Sequence, residues 1–269
     1  MARELKFESP SFTQRIKGML GVDFYRLFHT PMYYIFLAIA AIIPAMILGT
    51  MGANGTEPLY TNTWHIIAAE SPLYVVSNIA EYANMNMVYI FGGIMVSIFI
   101  GHDYKSGYVK QLFTTHAKKQ DYMISKTISC AFAMTCMCIT YLIGALGAGI
   151  FAGTSFKANA GSIICAILGK IIMSLGWASL YTFINIIFRK KFGVSIVSSF
   201  FFGTGILIIG VAAIVGNSSL LNVFLYGASV YACLSSSVIT VLVCFICSIA
   251  WMIIYNVLGT RILSKCDVY

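Results

Sequence analysis

The sequence predicts an all-α membrane protein with six transmembrane helices and no soluble domain large enough to work alone. Three observations carry that prediction. Hydrophobic residues make up 59% of the 269-residue chain and charged residues only 10%, against about 25% charged in an ordinary soluble domain. Apolar runs recur at lengths near the roughly 20 residues a helix needs to cross a hydrocarbon core of about 30 Å. Lysine and arginine crowd into alternate connecting segments, the pattern that sets membrane orientation.

The runs are Tyr33–Thr50, Ala83–Gly101, Ile128–Ala152, Ser162–Phe188, Val194–Val215 and Val238–Leu258. None has the period-2 alternation of a membrane barrel strand, so helices must satisfy the backbone in lipid. No linker, low-complexity tract or clear internal repeat divides the chain, which reads as one domain over residues 1–269. With six spans, both termini lie on one side, and that side holds 15 of the 17 basic residues. They fall before the first run, between the second and third, between the fourth and fifth, and after the sixth. Lys157 and Lys170 are the exceptions. The crowded side is expected to be cytoplasmic. A basic rim facing anionic lipid headgroups then accounts for the net charge of +8 without nucleic acid.

Residues 12–28 have an amphipathic pattern. Phe12, Ile16, Met19, Leu20, Phe24, Leu27 and Phe28 share one helical face. Gln14, Arg15, Lys17, Gly18 and Arg26 lie mostly on the other. The pattern predicts an interfacial helix flat on the cytoplasmic surface, serving either as an anchor or as a lever on the first span. Residues 216–237 have polar ends, Asn217–Ser219 and Ser235–Ser237, around an apolar stretch with Phe224, Tyr226 and Tyr231. They predict an outer re-entrant hairpin between spans five and six.

Several chemistries are missing. Gly169-Lys170 is followed by Ile171 inside a run, so it is no phosphate loop. His29, His65, His102 and His116 are dispersed, without zinc spacing. No G-x-S-x-G occurs. Cys244 and Cys247 lie in an apolar run without a second ligand pair and read as small apolar residues. No carboxylate falls within a run, which weighs against an ion-coupled carrier. Lys170 is the one charge well inside a run, about 12 Å from its outer end. It either snorkels to the outer headgroups or is a buried cation that lines a transport path or pairs across helices.

The segment Gly101–Thr127 is the largest connecting element on the basic side. It begins Gly101-His102-Asp103-Tyr104-Lys105-Ser106-Gly107-Tyr108-Val109-Lys110-Gln111-Leu112-Phe113 and continues through Lys118, Lys119, Ser125 and Lys126. An acid, a glycine four residues on and an apolar/basic helix resemble the loop between spans two and three of type-two ABC exporter permeases. Asp103, Gly107, Lys110, Leu112, Lys119, Ser125 and Lys126 occupy the matching places. Tyr108 departs, since Thr or Ser is commoner after the glycine. The chain further resembles the small bacterial permeases that serve bacteriocin or toxin-peptide export or immunity.

The resemblance implies a cytoplasmic coupling helix with Asp103, Gly107, Tyr108, Lys110, Leu112 and Phe113 coupling to an ATPase. It implies two copies of a separate ABC ATPase, a second permease copy (identical or related), and a multi-pass location in the bacterial plasma membrane. The chain would carry no catalytic site and bind no cofactor or metal itself, with ATP and Mg held by the partner. Lys170 remains the candidate on the transport path. An ion-coupled transporter or channel working without ATP is the alternative.

Overall fold

The computed structural model describes residues 11–52, 79–114, 117–151, 160–207, 210, 223–234 and 238–265. Phe12–Phe28 forms α1, as the amphipathic pattern predicts. Ser11 caps it. The Ser11 hydroxyl accepts from the Gln14 backbone N–H at 3.4 Å, and the Gln14 side chain accepts from the Ser11 N–H at 2.9 Å. This reciprocal pair satisfies two donors the helix start would otherwise orphan. Pro31 opens α2 (Pro31–Gly52) at the first helical position, where a missing N–H does no harm. α1 meets the stretch Pro31–Ile43 at 67°.

The remaining helices are α3 (Ile79–Lys105), α4 (Tyr108–Thr114), α5 (Lys119–Phe151), α6 (Ala160–Ile187), α7 (Phe192–Thr204), α8 (Leu225–Leu234) and α9 (Val238–Lys265). No strand occurs among the described residues. Three helices are long and apolar enough there to cross a membrane, within α5, α6 and α9, and four if the bent pair α1–α2 is one span. The expected runs one, two, three, four and six fall on α2, α3, α5, α6 and α9. Residues 53–78 of the first outer loop lie outside the described residues, as do 216–222 and 235–237 of the expected hairpin.

α2, α5, α6 and α9 pack side by side in that order, α3 lies across the first three of them, and α7 packs on α3 and more lightly on α6. α3 is largely enclosed over its described side chains, with Val88, Tyr89, Ile90, Met95, Val96 and Ile100 all buried. Close approach depends on glycine. A Cβ at Gly93 would strike the Tyr181 ring, and one at Gly203 would strike its hydroxyl and the Ile90 backbone. Tyr181 thus fills the crossing of α3, α6 and α7. Small residues of this kind let membrane helices gain packing contact where no hydrophobic drive exists.

Hydrogen bonds reinforce the same crossing. Asn185 Nδ2 donates to Ser97 Oγ at 3.0 Å and to the Tyr181 carbonyl at 2.8 Å. Ser195 donates to Asn185 Oδ1, and the Ser97 and Ser199 hydroxyls are 2.8 Å apart. On the opposite flank, the Val223 carbonyl accepts from Trp251 Nε1 at 2.8 Å and from Cys247 Sγ at 3.5 Å. Cys244 Sγ reaches the Ala228 carbonyl at 3.6 Å. The C-x-x-C thiols therefore hold α8 on α9. At 10 residues α8 is about 15 Å long, half of what a span needs.

Two sequence expectations change. The apolar face of α1 does not lie on lipid along its length: Phe24 packs edge-on to Phe132 of α5 at 5.1 Å, and Leu27 is buried. The fifth run is not one unbroken helix: it breaks at Gly205, helix resumes at Ile206 and Leu207, and 208–209 and 211–215 lie outside the described residues. α7 stops at Thr204, 13 residues long, because Gly205 turns left-handed at φ 66° and its N–H closes on the Phe202 carbonyl at 3.3 Å. The Tyr226 ring of α8 packs where a Gly205 side chain would stand. Gly205→Ala therefore meets both a backbone penalty of roughly 1 kcal/mol or more and a ring clash. Its thermal denaturation midpoint in detergent should fall well below that of Gly193→Ala, where a Cβ finds open space. Equal midpoints would remove the argument for Gly205.

Candidate functional site

Charge collects at one end of the bundle, where α1, α3 and α5 meet. The helices α3 and α5 are long, with 27 and 33 residues. They carry Asp103 and Lys126 into a layer shared with α1. α1 contributes Asp23 and Arg26, one turn apart on the face toward α5.

Lys126 stands at the centre and is fully buried. Its Nζ lies 2.5 Å from Asp23 Oδ1 and 2.5 Å from Asp103 Oδ2. Arg26 Nη2 takes the other Asp103 oxygen at 2.5 Å. Ser125 Oγ donates to the other Asp23 oxygen at 2.7 Å, and the Tyr122 hydroxyl reaches Asp103 Oδ2 at 3.5 Å. Two cations and two carboxylates thus cancel. A further pair, Arg15 Nε to Asp121 Oδ2 at 2.6 Å, ties the start of α1 to the start of α5.

Aromatic rings close the box. The Lys126 ammonium is 4.6 Å from the Phe99 ring centroid, 5.5 Å from Tyr108 and 5.6 Å from Tyr122. Arg26 lies over Tyr108 at 4.4 Å. Cation–ring attraction strengthens once the cation is desolvated. Burial, and after it the Asp23 carboxylate, push the Tyr108 phenol above the usual tyrosine range. Tyr108 is therefore a neutral hydroxyl at physiological pH and adds no charge to the balanced set.

α4 rests on this layer. Ser106 and Gly107 alone separate it from α3, and the turn requires Gly107 at φ 73°. Such a backbone favours glycine. Val109 is buried, and Leu112 and Phe113 pack with it on Tyr122, Met123, Ile186 and Leu263. Phe113 meets the Tyr122 ring edge-on at 5.7 Å. Met19 of α1 joins the same cluster. Lys110, Gln111 and Thr114 are exposed on the other face.

The residues singled out in the sequence thus take different places. Gly107, Tyr108, Lys110, Leu112 and Phe113 come together in α4 and its turn. Asp103 sits in the interior as the anchor beneath, with no exposed surface. Lys170 lies elsewhere, about 22 Å along α6 from Asn185. It is only 7% exposed, so it is covered by protein rather than extended toward the outer surface. Tyr89 of α3 and Ser174 donate to its backbone carbonyl at 3.4 and 2.9 Å. Asp23 and Arg26 carried no expectation as site residues. Their signal was a lone acid among Met19, Leu20 and Leu27 on an otherwise apolar face, which a buried partner alone could tolerate. Among the described residues, no group of three or more His, Cys, Asp or Glu gathers as a metal site.

Removing one member of a buried ion pair leaves an uncompensated charge and costs about 3–5 kcal/mol. Lys126→Met should therefore denature far more readily than wild type in detergent. Arg26→Gln combined with Asp103→Asn leaves the Lys126–Asp23 pair neutral. That double variant should lose clearly less than the sum of its two single variants. Strict additivity in the cycle would contradict the pairing.

Residues 20–205, more than half of the chain, match the family described as ABC-2 family transporter protein. No curated protein sequence matches the chain. The match runs from the middle of α1 to the end of α7 and so includes the charged layer, α4 and its turn. Members of this family are membrane-embedded transport subunits, not enzymes in themselves, and generally pair with an ABC ATPase subunit. The chain belongs to the ABC-2 transporter family, as a multi-pass membrane permease.

Proposed function

We propose that the chain is the transmembrane subunit of an ATP-driven exporter, docked through α4 to a separate ATPase. The observation that carries the reading is the seat of α4. Its apolar underside shares one packed cluster with residues of α1, α5, α6 and α9, while Lys110, Gln111 and Thr114 face outward. A push on the outer face reaches four helices through packed side chains. Transmission of this kind needs a rigid contact and two arrangements of the spans. The partner holds ATP and Mg and supplies the hydrolysis.

The reading includes six spans, with both termini and α4 cytoplasmic. The basic segregation supports that orientation. It includes two permease copies and two ATPase copies in a bacterial plasma membrane. The substrate class is an amphipathic or antimicrobial peptide or toxin. Support comes from the interior beyond the charged layer, where buried side chains such as Met134, Met137, Met173, Trp177 and Tyr226 are largely apolar. Walls with few fixed polar groups accept varied apolar faces, since they impose little directional bonding. Lys170 is then a buried cation near the path, set against cationic cargo.

Charge reversal on the outer face of α4 tests the reading. Lys110→Glu with Gln111→Glu changes only exposed positions. The variant should insert and elute like wild type, yet fail to co-purify with a partner ABC ATPase and fail to stimulate its ATP hydrolysis. Undiminished capture and stimulation would place docking elsewhere. So would binding of that ATPase to right-side-out vesicles, which would also reverse the orientation.

A further inference from the structure

Two groups of basic residues differ in their surroundings. Arg15, Arg26 and Lys126 are matched to Asp121, Asp103 and Asp23. Arg189, Lys190 and Lys191 instead stand together at the turn between α6 and α7, and packing adds a fourth cation. Lys105, at the end of α3, has its Nζ 4.0 Å from the Phe192 ring centroid. A Cβ at Gly101 would strike that same ring, so Phe192 is wedged against the end of α3. The wedge holds Lys105 beside the turn.

Arg189 is engaged locally: its Nη1 donates to the Ile186 carbonyl at 3.3 Å, a favourable place for a cation at a helix C-terminus. Lys105, Lys190 and Lys191 are exposed. The carboxylates of Asp23, Asp103 and Asp121 are all buried in the junction and committed there. Among the described residues the patch is thus a crowd of like charges facing outward, and an external anion relieves it.

The surface next to the patch is apolar. Val194, Val197 and Phe201 are exposed along α7 at spacings of three and four residues, which puts them on one face. Ile187 is exposed just before the turn. A soluble anion has no use for that strip. A molecule with an anionic head and hydrocarbon chains fits both parts, the head on the lysines and a chain along α7.

We propose that Lys105, Lys190 and Lys191, with the Val194–Val197–Phe201 strip, form a binding site for an anionic phospholipid of the phosphatidylglycerol class. The site lies outside the α4 seat and does not depend on an ATPase. Charge at the membrane surface sets the affinity, and the strip selects a lipid over a free phosphate ester.

The test uses the full chain in phosphatidylcholine vesicles with trace spin-labelled phosphatidylglycerol or phosphatidylcholine. Electron spin resonance gives the preference of the protein for one label over the other. Lys190→Gln with Lys191→Gln should lower the phosphatidylglycerol preference about five-fold or more, the scale of one or more lysines near an anionic surface. Lys17→Gln with Lys118→Gln removes the same charge from exposed positions elsewhere and should leave the preference as in wild type. Excess glycerol 1-phosphate should not displace the label. An unchanged preference in the first variant overturns the site. Equal losses in both variants overturn it in favour of diffuse charge, and displacement by glycerol 1-phosphate overturns the lipid assignment.

Discussion

An ammonium group in the interior must have counter-charge, and Lys126 finds it on two helices at once. Asp23 comes from α1 and Asp103 from α3, each 2.5 Å away. A buried ion stripped of water and left unmatched costs several kcal/mol, so these helices have little freedom to separate. Arg26 completes the balance and brings Tyr108, the first residue of α4, over its guanidinium. The position of α4 thus follows from the electrostatics beneath it as much as from its own apolar face.

The body of the protein is held by other means. Away from the charged end, α3, α6 and α7 meet through glycine, Tyr181 and the Asn185 hydrogen bonds. Such contacts are short-ranged and each is worth only about 1 kcal/mol in lipid. The charged layer is then the stiffer end, and the body is the part with room to rearrange. For a permease this division has a use: a rigid receiving end can pass a movement on without absorbing it. The exposed lysines at the α6–α7 turn belong to neither part and face outward beside an apolar strip.

Much of this was legible in the sequence, and unevenly. The span of α1 was read residue for residue from its amphipathic period and from Pro31. The short helix after Gly107 was expected from the resemblance that Asp103, Gly107 and the apolar and basic residues after them carry. Asp23 was not read, because a one-dimensional pattern shows an acid on an apolar face but not the lysine that meets it 103 residues away. Arg26 was assigned to the polar face for the same reason. The stop at Gly205 was hidden inside an apolar run whose composition does not change there; only the backbone turn and the approach of Tyr226 reveal it. Lys170 looked better suited to snorkelling than to burial, and the surrounding packing decides for burial. Hydropathy finds apolar length, whereas pairing partners and helix breaks depend on what lies across the bundle.

The central claim is that the charged junction makes α1 and α4 one body that moves together when the partner binds ATP. Spin labels at Lys17 and Gln111, both exposed, report on it in a cysteine-free chain reconstituted with its ATPase. The distance between the two labels within one permease should be the same without nucleotide and with a non-hydrolysable ATP analogue, while the distance between the two Gln111 labels of a permease pair changes. A change in the distance from Lys17 to Gln111 within one chain, with the pair distance constant, would contradict the account.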